Sequence, residues 1–143
     1  MKIKRLTPTA ILPKRAHSTD AGMDLYADSD KIIAIPAHSS KMIGTGIAIA
    51  LEKGYFGGVY ARSGLAFKKG LRPSNNVGII DSEYRGEVKV ALHNDTEFTQ
   101  EIEPHERIAQ LIIQPCSLED IEEVDELDET ERGTGGFGSS GKH

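Results

Sequence analysis

G-E-V-K-V-A-L-H, residues 86–93, decides the fold. In an extended chain Val88, Val90 and Leu92 fall on one face and Lys89, Ala91 and His93 on the other, the two-residue alternation of a half-buried strand. Working outward, strand-like runs recur at 31–35, 42–51, 55–60, 98–102 and 108–113, separated by Gly, Pro, Asn and Asp. Along 42–51, Ile43, Gly46, Ala48 and Ala50 mix small and branched residues. No helical stripe of about 10 residues or more interrupts the body. Short strands at close spacing predict an all-β chain, a jelly-roll-like antiparallel sandwich or barrel.

One short helix is the predicted exception, over 63–69. Ser63 suits the N-cap, Leu65, Ala66 and Phe67 propagate, Lys68 and Lys69 suit the last turn, and Gly70 stops it. Free N–H groups of its first turn, with Arg62 and the Ser63 hydroxyl beside them, would cradle an anion. An ordinary capped connection is the plainer alternative.

The outer bounds are set by 143 residues, 38% apolar and 27% charged, which suit a single domain able to bury its own core. A basic N-terminus broken by Pro8, Pro13, Lys14 and Arg15 offers no signal-peptide core, and no long apolar run appears elsewhere. A cytoplasmic protein without membrane contact is expected. Cys116 is the single cysteine, so no intrachain disulfide forms, and the sequon at Asn94 carries no meaning without secretion. A formal charge of −5 argues against a nucleic-acid surface.

Three segments follow from the charge and glycine pattern: a β domain over 1–118, an acidic spacer over 119–131 and a Gly-rich tail over 132–143. Between Glu119 and Asp128 every charged residue is acidic, so the spacer extends by self-repulsion and reads as a solvated linker. From Leu118 to Arg132 it could reach roughly 40 Å, far enough to serve a neighbouring chain. The tail, R-G-T-G-G-F-G-S-S-G at 132–141, sets five glycines around Phe137, with Arg132, Ser139 and Ser140. Glycine lets backbone N–H groups approach phosphate oxygens, the serines add donors, and the ring offers a face for a base. Such tails are more often inert linkers. The accidental G-x-G-x-x-G (Gly133, Gly135, Gly138) and G-x-x-x-x-G-K (residues 136–142) lack the strand before and the helix after that a phosphate loop needs.

N-N-V-G-I-I-D-S-E-Y-R-G, residues 75–86, reads as a hairpin whose turn carries Asp81, Ser82 and Glu83. Asp81 follows the apolar pair Ile79 and Ile80; a partly shielded carboxylate there could hold a water as general base, though Asp also simply opens turns.

Together, A-G-M-D-L (21–25), A-R-S-G-L-A (61–66), the 75–86 segment, R-I-A-Q-L-I (107–112) and the Gly-rich tail resemble the five motifs of trimeric dUTPases, in order and almost end to end. The resemblance implies a jelly-roll homotrimer with active sites shared between subunits and closed by a neighbour's tail. It implies cleavage of dUTP to dUMP and pyrophosphate with Mg2+ held by the triphosphate and waters rather than by a protein cage, Asp24 reaching it through water or serving only the fold. Carried onto this chain, Asp81 activates water at the α-phosphorus. Arg62, Ser63, Gly64, Gln110 and Arg107 hold phosphates, and Arg132, Gly138, Ser139 and Ser140 close over them. Asn75, Gly78, Ile79 and Ile80 bind uracil in a narrow slot, Tyr84 packs on the deoxyribose, Phe137 covers the base, and Lys89 touches substrate. Deaminases of dCTP share the fold but use a glutamate on the next strand, where this chain has Ala91. A silent nucleotide-binding or regulatory module is the alternative from another class.

Overall fold

The computed structural model describes residues 1–136. Strands are β1 (Lys2–Arg5), β2 (Met23–Tyr26), β3 (Ile33–Ile35), β4 (Ser40–Gly44), β5 (Ile47–Ala50), β6 (Tyr55–Tyr60), β7 (Leu71–Pro73), β8 (Gly78–Ile80), β9 (Lys89–Asn94), β10 (Gln100–Ile102) and β11 (Arg107–Pro115), with helix α1 (Ser63–Lys69) between β6 and β7. Every strand pair is antiparallel. A four-stranded sheet in the order β2-β11-β6-β8 and a three-stranded sheet β4-β9-β7 are joined by the ribbons β1-β5 and β3-β10. This is the expected all-β, jelly-roll-like arrangement.

The core lies where inward-facing residues meet. Leu25, Val59, Ile80 and Leu111 come from the four-stranded sheet, Ile43, Leu71, Val90 and Leu92 from the three-stranded one, and Ile35, Ile47 and Ile102 from the ribbons. Val88, Val90 and Leu92 are all at 2% exposure or below, so the alternation read along 86–93 is the packing pattern itself. Thr45 and Asn94 are the buried polar exceptions among the described residues; the Asn94 amide donates to the carbonyls of Ile35, Pro36 and Phe98 at 3.0, 3.2 and 2.7 Å, tying β9 to the β3-β10 ribbon.

Four expectations are corrected. The 42–51 run is two strands, because the chain turns at Gly46 with φ +65°, where a Cβ would collide with Asp28, Ala10 and Thr7. The runs at 31–35 and 98–102 shorten to Ile33–Ile35 and Gln100–Ile102. Ser63 is the first helical residue rather than the cap: Arg62, extended at φ −91° and ψ 129°, holds that place without a side-chain cap. Gly70 does end the helix in the left-handed region, at φ 61°.

The fourth correction matters most for function. Residues 75–86 are not a closed hairpin: β8 pairs with β6 and β9 with β4 and β7, so the two arms belong to different sheets. The arms stand apart where a hairpin ladder would close them.

Candidate active site

At one end of the four-stranded sheet, Asp24 on β2 lies opposite Gln110 on β11, which lies opposite Tyr60 on β6. Two residues past Tyr60, Arg62 turns back and its Nε donates to Asp24 Oδ1 at 2.6 Å. Arg107 NH1 donates to Asp24 Oδ2 at 3.2 Å. The carboxylate is only 15% exposed, so each of its oxygens is committed to a guanidinium in partly shielded surroundings, where charge-assisted bonds are strong. Both arginines are thereby aimed before any ligand arrives.

Gln110 donates to the Ala61 carbonyl at 2.8 Å, holding the chain where it leaves β6 for α1. Space for that amide exists because residue 22 is glycine; a Cβ there would run into Gln110 Oε1. The resulting cleft of ≈ 430 Å³ is lined by Asp24, Arg62, Ser63, Gly64, Arg107 and Gln110, with Asp20 and Gly22 on its rim. The first residues of α1 bring unpaired N–H groups to it, and nothing crowds the α-carbon of Gly64. Asp20 accepts the His17 N–H at 2.9 Å, and this backbone bond holds its carboxyl below the ordinary aspartate range. Asp20 and Gly22 escaped the residue-by-residue reading, although Gly22 stands inside A-G-M-D-L; the signal was a glycine directly before a strand.

Asp81 lies elsewhere. Ile80 faces Gly57 on β6, so Asp81 follows opposite Phe56, toward the other end of that strand. Asp81 is exposed, not shielded: with Ile80 turned inward at 7% exposure, the pleat sends Ile79, at 58%, and Asp81 outward. Asp81 shares a second cleft, ≈ 530 Å³, with Ser82, Glu83, Tyr84, Cys116 and Leu118. The Tyr84 ring rests on the α-carbon of Gly86, where any Cβ would strike it, and its hydroxyl donates to the Glu87 carbonyl at 3.0 Å.

Between the parted arms, the Asn75 amide reaches Gly78, at 3.5 Å from where a Cβ would stand. Arg72 fixes this corner through Asn76 Oδ1 at 3.2 Å and two bonds to Asp95 at 2.8 and 3.1 Å. Lys89 is exposed at the start of β9, 3.5 Å from Glu87 Oε2. Ala91, on the same strand opposite Met42, offers no proton-transfer group.

The predicted residues thus form two groups, which the single chain does not unite. By strand register, Asp24 and Asp81 stand about 13 Å apart along the strands and 14 Å across them, roughly 20 Å in all. Arg132 lines neither cleft; its Nε donates to the Gly135 carbonyl at 2.8 Å. Phe137, Gly138, Ser139 and Ser140 lie outside the described residues.

An all-β chain that aims paired guanidinia into one cleft and sets a carboxylate beside a tyrosine at another is built as a phosphate-handling enzyme. The chain belongs to the dUTPase family, whose model matches residues 9–141. Among its relatives, a deoxyuridine 5'-triphosphate nucleotidohydrolase of Corynebacterium glutamicum is 54% identical over 143 residues, covering 99% of this chain and 95% of that protein. One of Corynebacterium jeikeium is 50% identical over 145 residues, covering 99% and 92%. Among solved structures, a Staphylococcus bacteriophage 80alpha dUTPase variant with dUpNHpp superposes at a TM-score of 0.90 and 30% identity, covering 98% of this chain and 97% of that one.

Proposed function

We propose that this protein hydrolyses dUTP to dUMP and pyrophosphate in a Mg2+-dependent reaction, at sites shared between copies of the chain in a homotrimer. The observation that carries the reading is the unzipped 75–86 segment, whose arms β8 and β9 pair in different sheets with Asp81 directly after β8; the reading places uracil between those arms. Backbone groups of Gly78, Ile79 and Ile80, with the Asn75 amide, satisfy the edge of uracil there. A cytosine amino group leaves those groups mispaired, and a thymine methyl finds no room. Tyr84, pinned against Gly86, crowds the sugar and disfavours a 2'-hydroxyl. Lys89 stands at the entrance of the next strand, within reach of the nucleotide.

Asp81 orients a water and takes its proton as the water oxygen bonds to the α-phosphorus; the bond from that phosphorus to the bridging oxygen breaks, and pyrophosphate leaves with the electron pair. Arg62, Arg107, Gln110 and the N–H groups of Ser63 and Gly64 hold the departing phosphates and neutralise their growing charge. Asp24 keeps both guanidinia in place. Arg132, Phe137, Gly138, Ser139 and Ser140 of another copy close the site.

Mg2+ fits this donor set as a companion of the triphosphate. Both Asp24 oxygens are taken by arginines and Asp20 accepts a backbone N–H, so the metal would sit on phosphate oxygens and water, with Asp20 and Asp24 at the cleft wall. Bound there it would withdraw charge from the phosphates.

The test incubates pure protein and Mg2+ with dUTP, dCTP, dTTP and UTP, measuring pyrophosphate and ammonia. Pyrophosphate from dUTP alone is expected. Ammonia from dCTP would make the chain a deaminase, and no product would make it a binding module.

A further inference from the structure

Asn75 stands in the turn between β7 and β8, and the residues on either side of it are both tied down. Before it, Ser74 donates its backbone N–H to the Ala91 carbonyl on β9 at 2.7 Å, and its hydroxyl donates to the Ser40 hydroxyl on β4 at 3.0 Å. After it, Asn76 is held in the left-handed region, at φ 62°. Its N–H donates to the Pro73 carbonyl at 3.0 Å, and its side-chain oxygen accepts from Arg72 NH1 at 3.2 Å. Arg72 is fixed in turn by a two-bond fork on Asp95, the arrangement in which a surface ion pair keeps its shape.

Both ties lead to His93. Strand register sets Ser40, His93 and Arg72 side by side across β4, β9 and β7, on the outward face of that sheet. His93 Nδ1 is 3.0 Å from Ser40 Oγ, and Nε2 is 3.5 Å from Asp95 Oδ1. A carboxylate only accepts, so in the neutral ring the nitrogen facing Asp95 carries the proton and Nδ1 accepts from the Ser40 hydroxyl. Ser40 then accepts from Ser74. The donors run in one direction, from Ser74 through Ser40 and His93 to Asp95, which Arg72 holds from the other side. With a side chain 25% exposed, His93 is the least exposed of the ionisable partners in this lattice; Arg72 and Asp95 stand at 38% and 46%.

We propose that His93 is a positioning residue for base selection: acting through Ser40 and Ser74 on one side and through Asp95 and Arg72 on the other, it sets where the Asn75 amide stands against the base, an inference that rests on the dUTP reading above. A hydrogen bond weakens steeply with misalignment, so a loosened Asn75 costs discrimination between uracil and cytosine. The phosphates are gripped in the other cleft, so the chemical step is left alone.

His93→Phe keeps a flat ring in the sheet and removes both nitrogens. Pyrophosphate release should show a KM for dUTP raised about tenfold with kcat within about twofold of the parent's, the pattern of lost uniform binding. Titration with nonhydrolysable analogues of dUTP and dCTP should show their affinity ratio lowered about tenfold. Ser40→Ala, which cuts one tie only, should fall between His93→Phe and the parent. Coupling to Asn75 is the decisive measurement: in an Asn75→Ala chain, His93→Phe should add less than about twofold to KM, because the group it positions is gone. The full tenfold effect in that background overturns the proposal, as does a folded His93→Phe chain with the parent's KM and affinity ratio. If His93→Phe lowers the urea midpoint, Ser40→Ala, which removes an exposed hydroxyl, carries the same cycle with Asn75→Ala, and additivity there is equally fatal. A parent that turns over dUTP while its His93 and Ser40 variants match it sinks the positioning role alone. A parent that neither releases pyrophosphate from dUTP nor binds its analogue sinks the dUTP reading and this role together.

Discussion

At the level of single residues, the site is a set of side chains whose freedom has already been removed. Asp81 is an exception in its exposure, and that follows from the pleat: Ile80 must face the core, so its neighbour cannot. In the proposed mechanism a carboxylate in that position acts by placement rather than by burial. Asp81→Asn keeps shape and polarity but loses the proton acceptor, so kcat should fall by about 10²–10⁴, while affinity for a nonhydrolysable dUTP analogue stays within about threefold. Stopped assays of pyrophosphate and titration calorimetry read the two quantities; a loss confined to affinity would assign Asp81 a structural role. Gly22→Ala drives a methyl into Gln110 and lifts its amide from the Ala61 carbonyl. The expected result is a KM for dUTP raised about tenfold with an unchanged circular dichroism spectrum, equivalent to ~1.4 kcal/mol of lost binding. Arg62 and Gln110, which line one cleft, and Asp81, which lines the other, stand out in the sequence because each sits in a motif of distinctive order. The bracing of both arginines by Asp24 does not, since residues 24, 62 and 107 meet only across three chain segments.

Among elements, the strands read most nearly at full length were the three longest: β6, β9 and β11. Those missed are β1, whose K-I-K-R looks like a charged terminus, and β2 and β7, four and three residues long, too short for periodicity to register. The 75–86 segment deceived for a different reason. Its turn chemistry is that of a hairpin, but Val59 and Gly57 on β6 take β8, and Met42 and Ile43 on β4 take β9. Pairing with outside partners keeps the arms apart, a tertiary preference that local sequence does not encode. The helix stop was legible, because Gly70 follows two lysines and must adopt a positive φ. Gly70→Ala puts a Cβ in the left-handed region and against the Thr96 methyl, which should cost about 1–2 kcal/mol. A lowered urea midpoint at unchanged slope would register it; no change would mean the α1–β7 corner relaxes freely.

For the whole molecule, the decisive quantity is the roughly 20 Å between Asp24 and Asp81, because a triphosphate gripped by Arg62 cannot lay its α-phosphorus beside the Asp81 of the same chain. Rigid sheets hold that separation: β2, β11, β6 and β8 form one hydrogen-bonded unit, so no hinge within it can bring the ends together. In the proposed homotrimer, two surfaces that cannot meet in one copy meet by symmetry in another, through a head-to-tail contact that closes into a ring. Mixing two dead chains tests this directly. Asp81→Asn lacks the base but keeps the arginine cleft; Arg62→Ala lacks the cleft but keeps the base. Each alone should be nearly inactive. After unfolding and refolding together in equal amounts, a shared site works only when its base comes from an Arg62→Ala chain and its cleft from an Asp81→Asn chain. Independent assortment at two places yields about a quarter of the sites active, hence about a quarter of the parent's pyrophosphate release per chain. A site built within one copy has no route to rescue, so activity in the mixture no higher than the mean of the two separate variants would place Asp81 and Arg62 in different functions.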